Sequence, residues 1–330
     1  MLDLTTTFAG LKLNNPIIIS SSGLTKSAEN NANLAAAGAG AVVLKSLFEE
    51  QILHETSQLL DDNAFGRAEG YDYLTSYVRQ HKLEDYLNVV RDSKKNCNIP
   101  VIASISCYND SEWVNFAKDI ERAGADAIEI NILSLQTQRA INYEYGSFEK
   151  EHVNILKHLK QTINIPIIMK LGNNFTNPIA LVDQLKQNGA DAVVLFNRFF
   201  PLDVDIDNMK TVAGQILSSG FELSNSLRWT GFAYSRLNPI NIAVSGGVRD
   251  ADGLVKSILV GASAVELCSV IFEKGPQYIN VMKENLSAWM EKHHYTSISQ
   301  FKGLLHSDSE GDDTDLFERT QFIKYFGSKE

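Results

Sequence analysis

The sequence is short of the features that mark several protein classes. Cysteine occurs three times in 330 residues, as Cys97, Cys107 and Cys268. An odd count without metal-type spacing argues against a disulfide framework and against a zinc or iron–sulfur site, and it fits a reduced, cytoplasmic protein. No apolar run approaches the ~18 residues of a membrane span. The opening Met-Leu-Asp-Leu-Thr-Thr-Thr has neither the basic nor the apolar region of a secretion signal. Positive charge is in deficit: 30 Lys and Arg face 40 Asp and Glu, for a net charge of −10. Such a chain is not drawn to nucleic acid or to an anionic membrane surface. No Gly-x-Gly-x-x-Gly follows a first strand, which counts against a dinucleotide-binding open sheet. His54, His152, His293 and His294 form no constellation. The acidic run from Ser307 to Asp315 fails the spacing of a calcium loop and reads as a solvated loop.

What is present is an internal repeat. Four segments begin with a helix-stopping Gly and continue into an apolar strand: Gly38 to Leu44, Gly124 to Ile130, Gly189 to Leu195, and Gly261 to Leu267. Four others follow Asn-Pro or Asn-x-Pro: Asn15 to Ser20, Asn98 to Ser104, Asn164 to Lys170, and Asn238 to Ser245. The two kinds alternate, and helical patterns such as Asp110 to Arg122 and Pro178 to Asn188 separate them. Eight short buried strands alternating with helices predict parallel βαβ units closed into a (β/α)₈ barrel, with a doubly wound open sheet as the alternative. We expect one domain over residues 1–330. Two connections, near 46–98 and 198–238, are too long for plain crossovers and are expected to cover the active-site face.

In a barrel of this kind the reacting groups stand at the C-terminal ends of strands. Those ends read Ser20-Ser21-Ser22-Gly23, Lys45-Ser46, Ser104 to Cys107, Asn131, Lys170, Asn197, Ser245-Gly246-Gly247 and Cys268-Ser269. Gly246-Gly247 and Cys268-Ser269 end the last two strands, where backbone N–H groups can bind a phosphate. The plainer reading of the two glycines is a tight turn. Lysine and asparagine are disfavoured in strands, so Lys45, Lys170, Asn131 and Asn197 together point to an anionic or carbonyl-rich ligand at the mouth. A Schiff-base aldolase would need only one such lysine, with a lowered pKa. A flavin uses more of the set: lysine for charge on the ring, amides for its polar edge, glycines for a phosphate tail.

The chain resembles the dihydroorotate dehydrogenase family, class 1 type, over most of its length, from Leu4-Thr5-Thr6-Thr7-Phe8 to about Phe301. The resemblance is carried by Ser22-Gly23, Lys45-Ser46, Gly70-Tyr71-Asp72-Tyr73, Glu129-Ile130-Asn131, Lys170-Leu171, Asn197, Ser245-Gly246-Gly247 and Lys274-Gly275-Pro276. The C-terminal Phe317-Glu318-Arg319 is similar to a dihydroorotate-dehydrogenase-like subgroup. The resemblance implies an FMN-linked barrel and an oxidoreductase acting on a CH–CH group, with a small-molecule substrate, an unknown electron acceptor and a possible homodimer. It implies FMN contacts from Ser21, Ser22, Gly23, Lys45, Ser46, Asn131, Lys170 and Asn197. A phosphate cradle of Gly231, Gly246, Gly247, Cys268 and Ser269 is implied as well. Asn131, Gln136 and Asn197 would bind substrate, Lys45 would assist catalysis, and no metal is expected.

Two family motifs are altered. The loop Asn-x-Ser-Cys-Pro-Asn, or its serine form, becomes Asn131-Ile132-Leu133-Ser134-Leu135-Gln136, which puts Ser134 at the general base and removes the proline. The substrate loop Asn-x-Met-Gly-Leu-x-Asn is absent, and Asp62 to Glu69 stands in its place. Fewer amides can converge on an orotate ring, so the expected substrate is dihydropyrimidine-like, or another C–C or C–N bond beside a carbonyl. Dihydroorotate itself, a flavin subunit that performs no catalysis, and the aldolase are the alternatives.

Overall fold

The structure, a computed structural model, describes residues 2–48, 68–106, 110–137, 141–308 and 317–318. Side chains are described throughout these except at 68–76 and 110–113. The expected loop at Asp62 to Glu69 lies outside the described residues as far as Arg67, as do His54, Cys107 and the acidic run beyond Asp308.

The chain opens with an antiparallel hairpin, β1 (Thr6–Phe8) and β2 (Leu11–Leu13). There follow β3 (Ile17–Ile19), α1 (Ala28–Ala36), β4 (Ala41–Val43), the short β5 (Leu47–Phe48), α2 (Ala68–Asn96), β6 (Val101–Ser106), α3 (Asp110–Ala123) and β7 (Ala127–Ile132). Then come α4 (Ser147–Lys160), β8 (Ile167–Gly172), α5 (Pro178–Gln187) and β9 (Ala192–Asn197). A second antiparallel hairpin, β10 (Leu202–Asp205) and β11 (Lys210–Ala213), precedes α6 (Leu223–Leu237). The chain continues through β12 (Asn241–Ser245), α7 (Ala251–Leu259), β13 (Ala264–Leu267), α8 (Ser269–Lys274) and α9 (Tyr278–Lys292).

Eight parallel strands form a closed cylinder. They run β4-β3-β13-β12-β9-β8-β7-β6, and β4 pairs with β6 to complete the ring. The eight are the strands that the repeat predicts. The repeat glycines Gly38, Gly124, Gly189 and Gly261 all have φ between +91 and +118°, so each ends its helix in a conformation that glycine adopts without strain. Helix starts are set locally too: Asn177 caps α5 ahead of Pro178, and Asp250 caps α7 through the Gly253 amide at 2.9 Å.

Strand parity divides the core in two. Outward residues such as Ile17, Val42, Ile128, Met169, Leu195 and Val265 pack under the helices in one cluster. Inward residues Ile18, Ala41, Val43, Ile102, Ala127, Ile168, Val194, Ala243 and Ala264 form a second cluster, which Phe8 and Leu13 of the first hairpin join. The interior therefore has an apolar layer at the hairpin end. Because alternate residues share a face, the next inward positions are Ser104, Glu129, Lys170 and Glu266, with Ser20 beyond β3. The barrel thus becomes polar toward the C-terminal ends of its strands.

Candidate active site

A cavity of about 590 Å³ opens at that polar end. Twelve of the residues expected at a flavin line it: Ser21, Ser22, Gly23, Lys45, Ser46, Asn131, Lys170, Asn197, Gly246, Gly247, Cys268 and Ser269. They come from every part of the chain between β3 and α8, and only closure of the barrel brings them together.

On one wall Asn197 donates to the Asn131 side-chain oxygen at 2.6 Å and accepts from the Arg198 amide at 2.8 Å. This pairing leaves the amide nitrogen of Asn131 available to a ligand. Arg198 pairs with Glu222 at 2.7 Å and donates to the carbonyls of Gln215 and Ile216 at 2.6 Å. It thereby ties the segment carrying Ile216, Leu217 and Ser218 across the cavity. Lys45 is exposed at the wall, and its ammonium makes no ion pair with a described residue.

The opposite wall carries Ser218, Gly246, Gly247, Cys268 and Ser269. Gly246 and Gly247 have φ of +87 and +78°. A Cβ on Gly247 would stand 2.4 Å from the Leu223 backbone nitrogen, so this position admits only glycine without a shift of α6. Ser218 donates to Ser269 Oγ at 3.1 Å, and its own hydroxyl accepts from the Gly247 amide at 3.4 Å. The Ser218 and Ser269 hydroxyls and the two glycines thus line the same side of the cavity. Burial pushes the Cys268 thiol up in pKa, so it sits there uncharged.

The floor is the interior polar layer. Lys170 Nζ lies 2.6 Å from Glu266 Oε2, 3.0 Å from Ser20 Oγ and 3.5 Å from Glu129 Oε1. Burial alone would discharge Lys170, but the two carboxyl groups outweigh it and hold the amine protonated well above its ordinary range. A Schiff-base nucleophile needs the neutral amine, so the aldolase reading of Lys170 is corrected by its setting. Glu129 is raised well above the carboxylate range by burial and then by Glu266, against the pull of Lys170. Burial acts on Glu266 in the same direction, but Lys170 and the hydrogen bonds it receives prevail, and its pKa is lowered.

Other expected residues stand elsewhere. Gly231 does not line the cavity. It lies in the middle of α6, where a Cβ would meet the Phe317 ring at 2.3 Å, so its bareness makes room for the C-terminal segment rather than for a phosphate. Ser134 and Gln136 also fall outside the lining. Strand β7 ends at Ile132, and the loop turns Leu133 inward. The Ser134 hydroxyl accepts from Gln136 at 3.5 Å, and its carbonyl accepts from Asn174 at 3.0 Å. Sequence reasoning assigned no role to Glu129, Glu266, Arg198 or Ser218. For the two glutamates the signal was there: each is a charge in the middle of an apolar strand, two residues from an inward alanine.

A closed parallel barrel with Lys45, Lys170 and the Asn131–Asn197 amide pair at the C-terminal ends of its strands has the architecture of the (β/α)₈ enzymes, whose reacting groups stand at that end. The dihydroorotate dehydrogenase family model matches residues 3–290, and the chain belongs to that family of oxidoreductases. Among similar proteins is the catalytic subunit of dihydroorotate dehydrogenase B (NAD(+)) of Thermoplasma volcanium. It is 26% identical over 92% of this chain and 99% of its own length. The corresponding subunit of Methanosarcina mazei is 27% identical over 91% of this chain and 94% of its own. The PreA subunit of the NAD-dependent dihydropyrimidine dehydrogenase of Escherichia coli is 25% identical over 93% of this chain and 77% of its own.

Proposed function

We propose that the chain binds FMN in the cavity and oxidises or reduces a dihydropyrimidine-like compound, or another C–C or C–N bond beside a carbonyl. The observation that carries this reading is the convergence, in one cavity, of Lys45, the Asn131–Asn197 amide pair and the Gly246-Gly247 cradle. The residues fit the group. Gly246, Gly247, Ser218 and Ser269 would hold the phosphate. Lys170 and Lys45 would meet the polar edge of the ring, and Phe196 and Leu133 would flank its apolar face. Bound there, FMN would supply a two-electron acceptor for a hydride.

The chain's own groups do the remaining work. Asn131 orients a substrate carbonyl or ring nitrogen. Lys45, which makes no ion pair with a described residue, stabilises negative charge that develops at the ring or the substrate. Removal of a proton from the substrate is assigned to Ser134, which requires the loop 133–137 to fold over the mouth on binding. A serine in that role needs a neighbouring group to take the proton. The protein is expected to work in the cytoplasm.

The test is direct. Chain reconstituted with FMN turns yellow and binds it stoichiometrically, and the Lys45→Ala variant bleaches at least tenfold more slowly with the substrate that reduces wild type. Screening dihydrouracil, dihydrothymine and dihydroorotate by stopped-flow absorption identifies the substrate. Rapid bleaching by dihydroorotate alone would instead establish the activity in the names of the archaeal relatives. A protein that stays colourless with excess FMN ends the flavin reading.

A further inference from the structure

Two carboxyl groups and one ammonium share the closed interior of the barrel, and as ions they do not balance. Side chains of Glu129, Lys170 and Glu266 are all at least nineteen-twentieths buried, with exposures of 0, 4 and 1%. Lys170 directs its ammonium at Glu266 Oε2, Ser20 Oγ and, more distantly, Glu129 Oε1. Glu129 Oε2 and Glu266 Oε1 are left buried with no donor among the described residues. The two carboxyl groups lie within hydrogen-bonding reach of each other. Two carboxylates cannot bond to one another, whereas a carboxylic acid and a carboxylate can. One added proton therefore supplies the missing donor and cancels the surplus negative charge.

We propose that Glu129 and Glu266 share one proton, resident on Glu129, so that the floor of the cavity is a net-neutral cluster and Glu266 is a positioning residue for Lys170. Among the described residues the titratable neighbours of the pair are Lys170, Cys268 and Tyr86. Lys170 faces the pair from β8, and the Cys268 thiol lies just past the end of β13, at the start of α8. Tyr86 of α2 sits behind Ser104, donating to its carbonyl at 2.9 Å. Burial keeps that phenol un-ionised.

A row of hydroxyls connects the pair to the cavity. Ser104 Oγ is 3.4 Å from Glu129 Oε1, Ser46 Oγ is 2.7 Å from Ser104 Oγ, and Ser21 Oγ is 2.9 Å from Ser46 Oγ. Ser21 and Ser46 both line the cavity. The proton therefore has an all-protein route to the mouth, and Ser46 is its midpoint. The protonation itself requires no ligand. Its consequence for a bound ring rests on the flavin reading.

Infrared spectroscopy of the flavin-free chain at neutral pH tests the proton. Wild type shows a protonated-carboxyl band that shifts in heavy water. Both Glu129→Gln and Glu266→Gln lose it, because either variant leaves one carboxylate paired with Lys170. Absence of the band in wild type, or its survival in either variant, overturns the proposal. Should a variant fail to fold, the wild-type spectrum still decides. With FMN bound, a second readout follows. Glu129→Gln leaves the midpoint potential where it was, since a neutral group replaces a neutral group, and the double variant raises it by exposing Lys170. A rise in the single variant means that both glutamates were ionised. Failure to take up FMN counts against the flavin reading alone, and the infrared result stands apart from it.

Discussion

Gly246 and Gly247 share a positive φ, and space separates them. At Gly246 the nearest foreign atom to a Cβ would be the Phe196 carbonyl oxygen at 3.9 Å. At Gly247 the start of α6 occupies the place of a side chain. Gly246→Ala is therefore expected to cost about 1–2 kcal/mol, the usual strain of an L-residue in the left-handed region. Gly247→Ala should cost more, because α6 or the loop must also move. Chemical denaturation orders the two. Equal losses would mean that contact with Leu223 is relieved freely. In the same two variants FMN affinity should fall most at Gly247, since the backbone that moves is the cradle.

Among the elements, the connection between β9 and α6 contributes most to the mouth. Arg198 anchors its return segment to Glu222, while the β10–β11 hairpin between them leaves large apolar side chains in solvent: Leu202, Val204, Ile206 and Met209 are 75, 53, 81 and 89% exposed. Contiguous exposed apolar side chains are a feature of protein contact surfaces. A homodimer through this hairpin is our reading of it. Light scattering should give twice the monomer mass, and the paired change Ile206→Asp with Met209→Asp should return it to a monomer. A wild-type monomer at micromolar concentration would remove the idea. The length of this connection is visible in the sequence. That it forms a hairpin is less so, because its alternation of Leu, Val and Ile with Asp is short and ends at Asn208 without a strong turn pair.

At the scale of the whole molecule, stability depends on pH through groups buried in unusual states. His152 packs edge-on against the stacked rings of Phe148 and Phe175, with ring centroids 4.6 and 5.2 Å away, and its Nδ1 is 2.8 Å from the Phe148 carbonyl oxygen. Burial lowers its pKa to about 4. A depressed folded pKa means stability that is complete above the unfolded value and lost on acidification through the folded one. Between pH 6.5 and 4 the barrel should lose on the order of 3 kcal/mol from this group. Glu129 runs the opposite way. Its raised pKa gives stability that is full below the unfolded value and is lost as pH rises through the folded one. Urea unfolding of His152→Leu should show the acid loss flattened relative to wild type, and an unchanged slope would place the effect elsewhere.

By itself the sequence determined the eight strands, their alternation with helices and most of the cavity lining, because glycine stops and apolar strand runs are local signals. It determined the pair of glycines at the cradle for the same reason. Only the tertiary structure decided that Gly231 serves Phe317 and that Ser134 stands off the cavity. Both depend on where a loop or a distant segment comes to rest. Closure of the sheet decided the rest: it set Glu129, Lys170 and Glu266 against one another inside the barrel, where three charges from distant strands are 0–4% exposed and must neutralise one another.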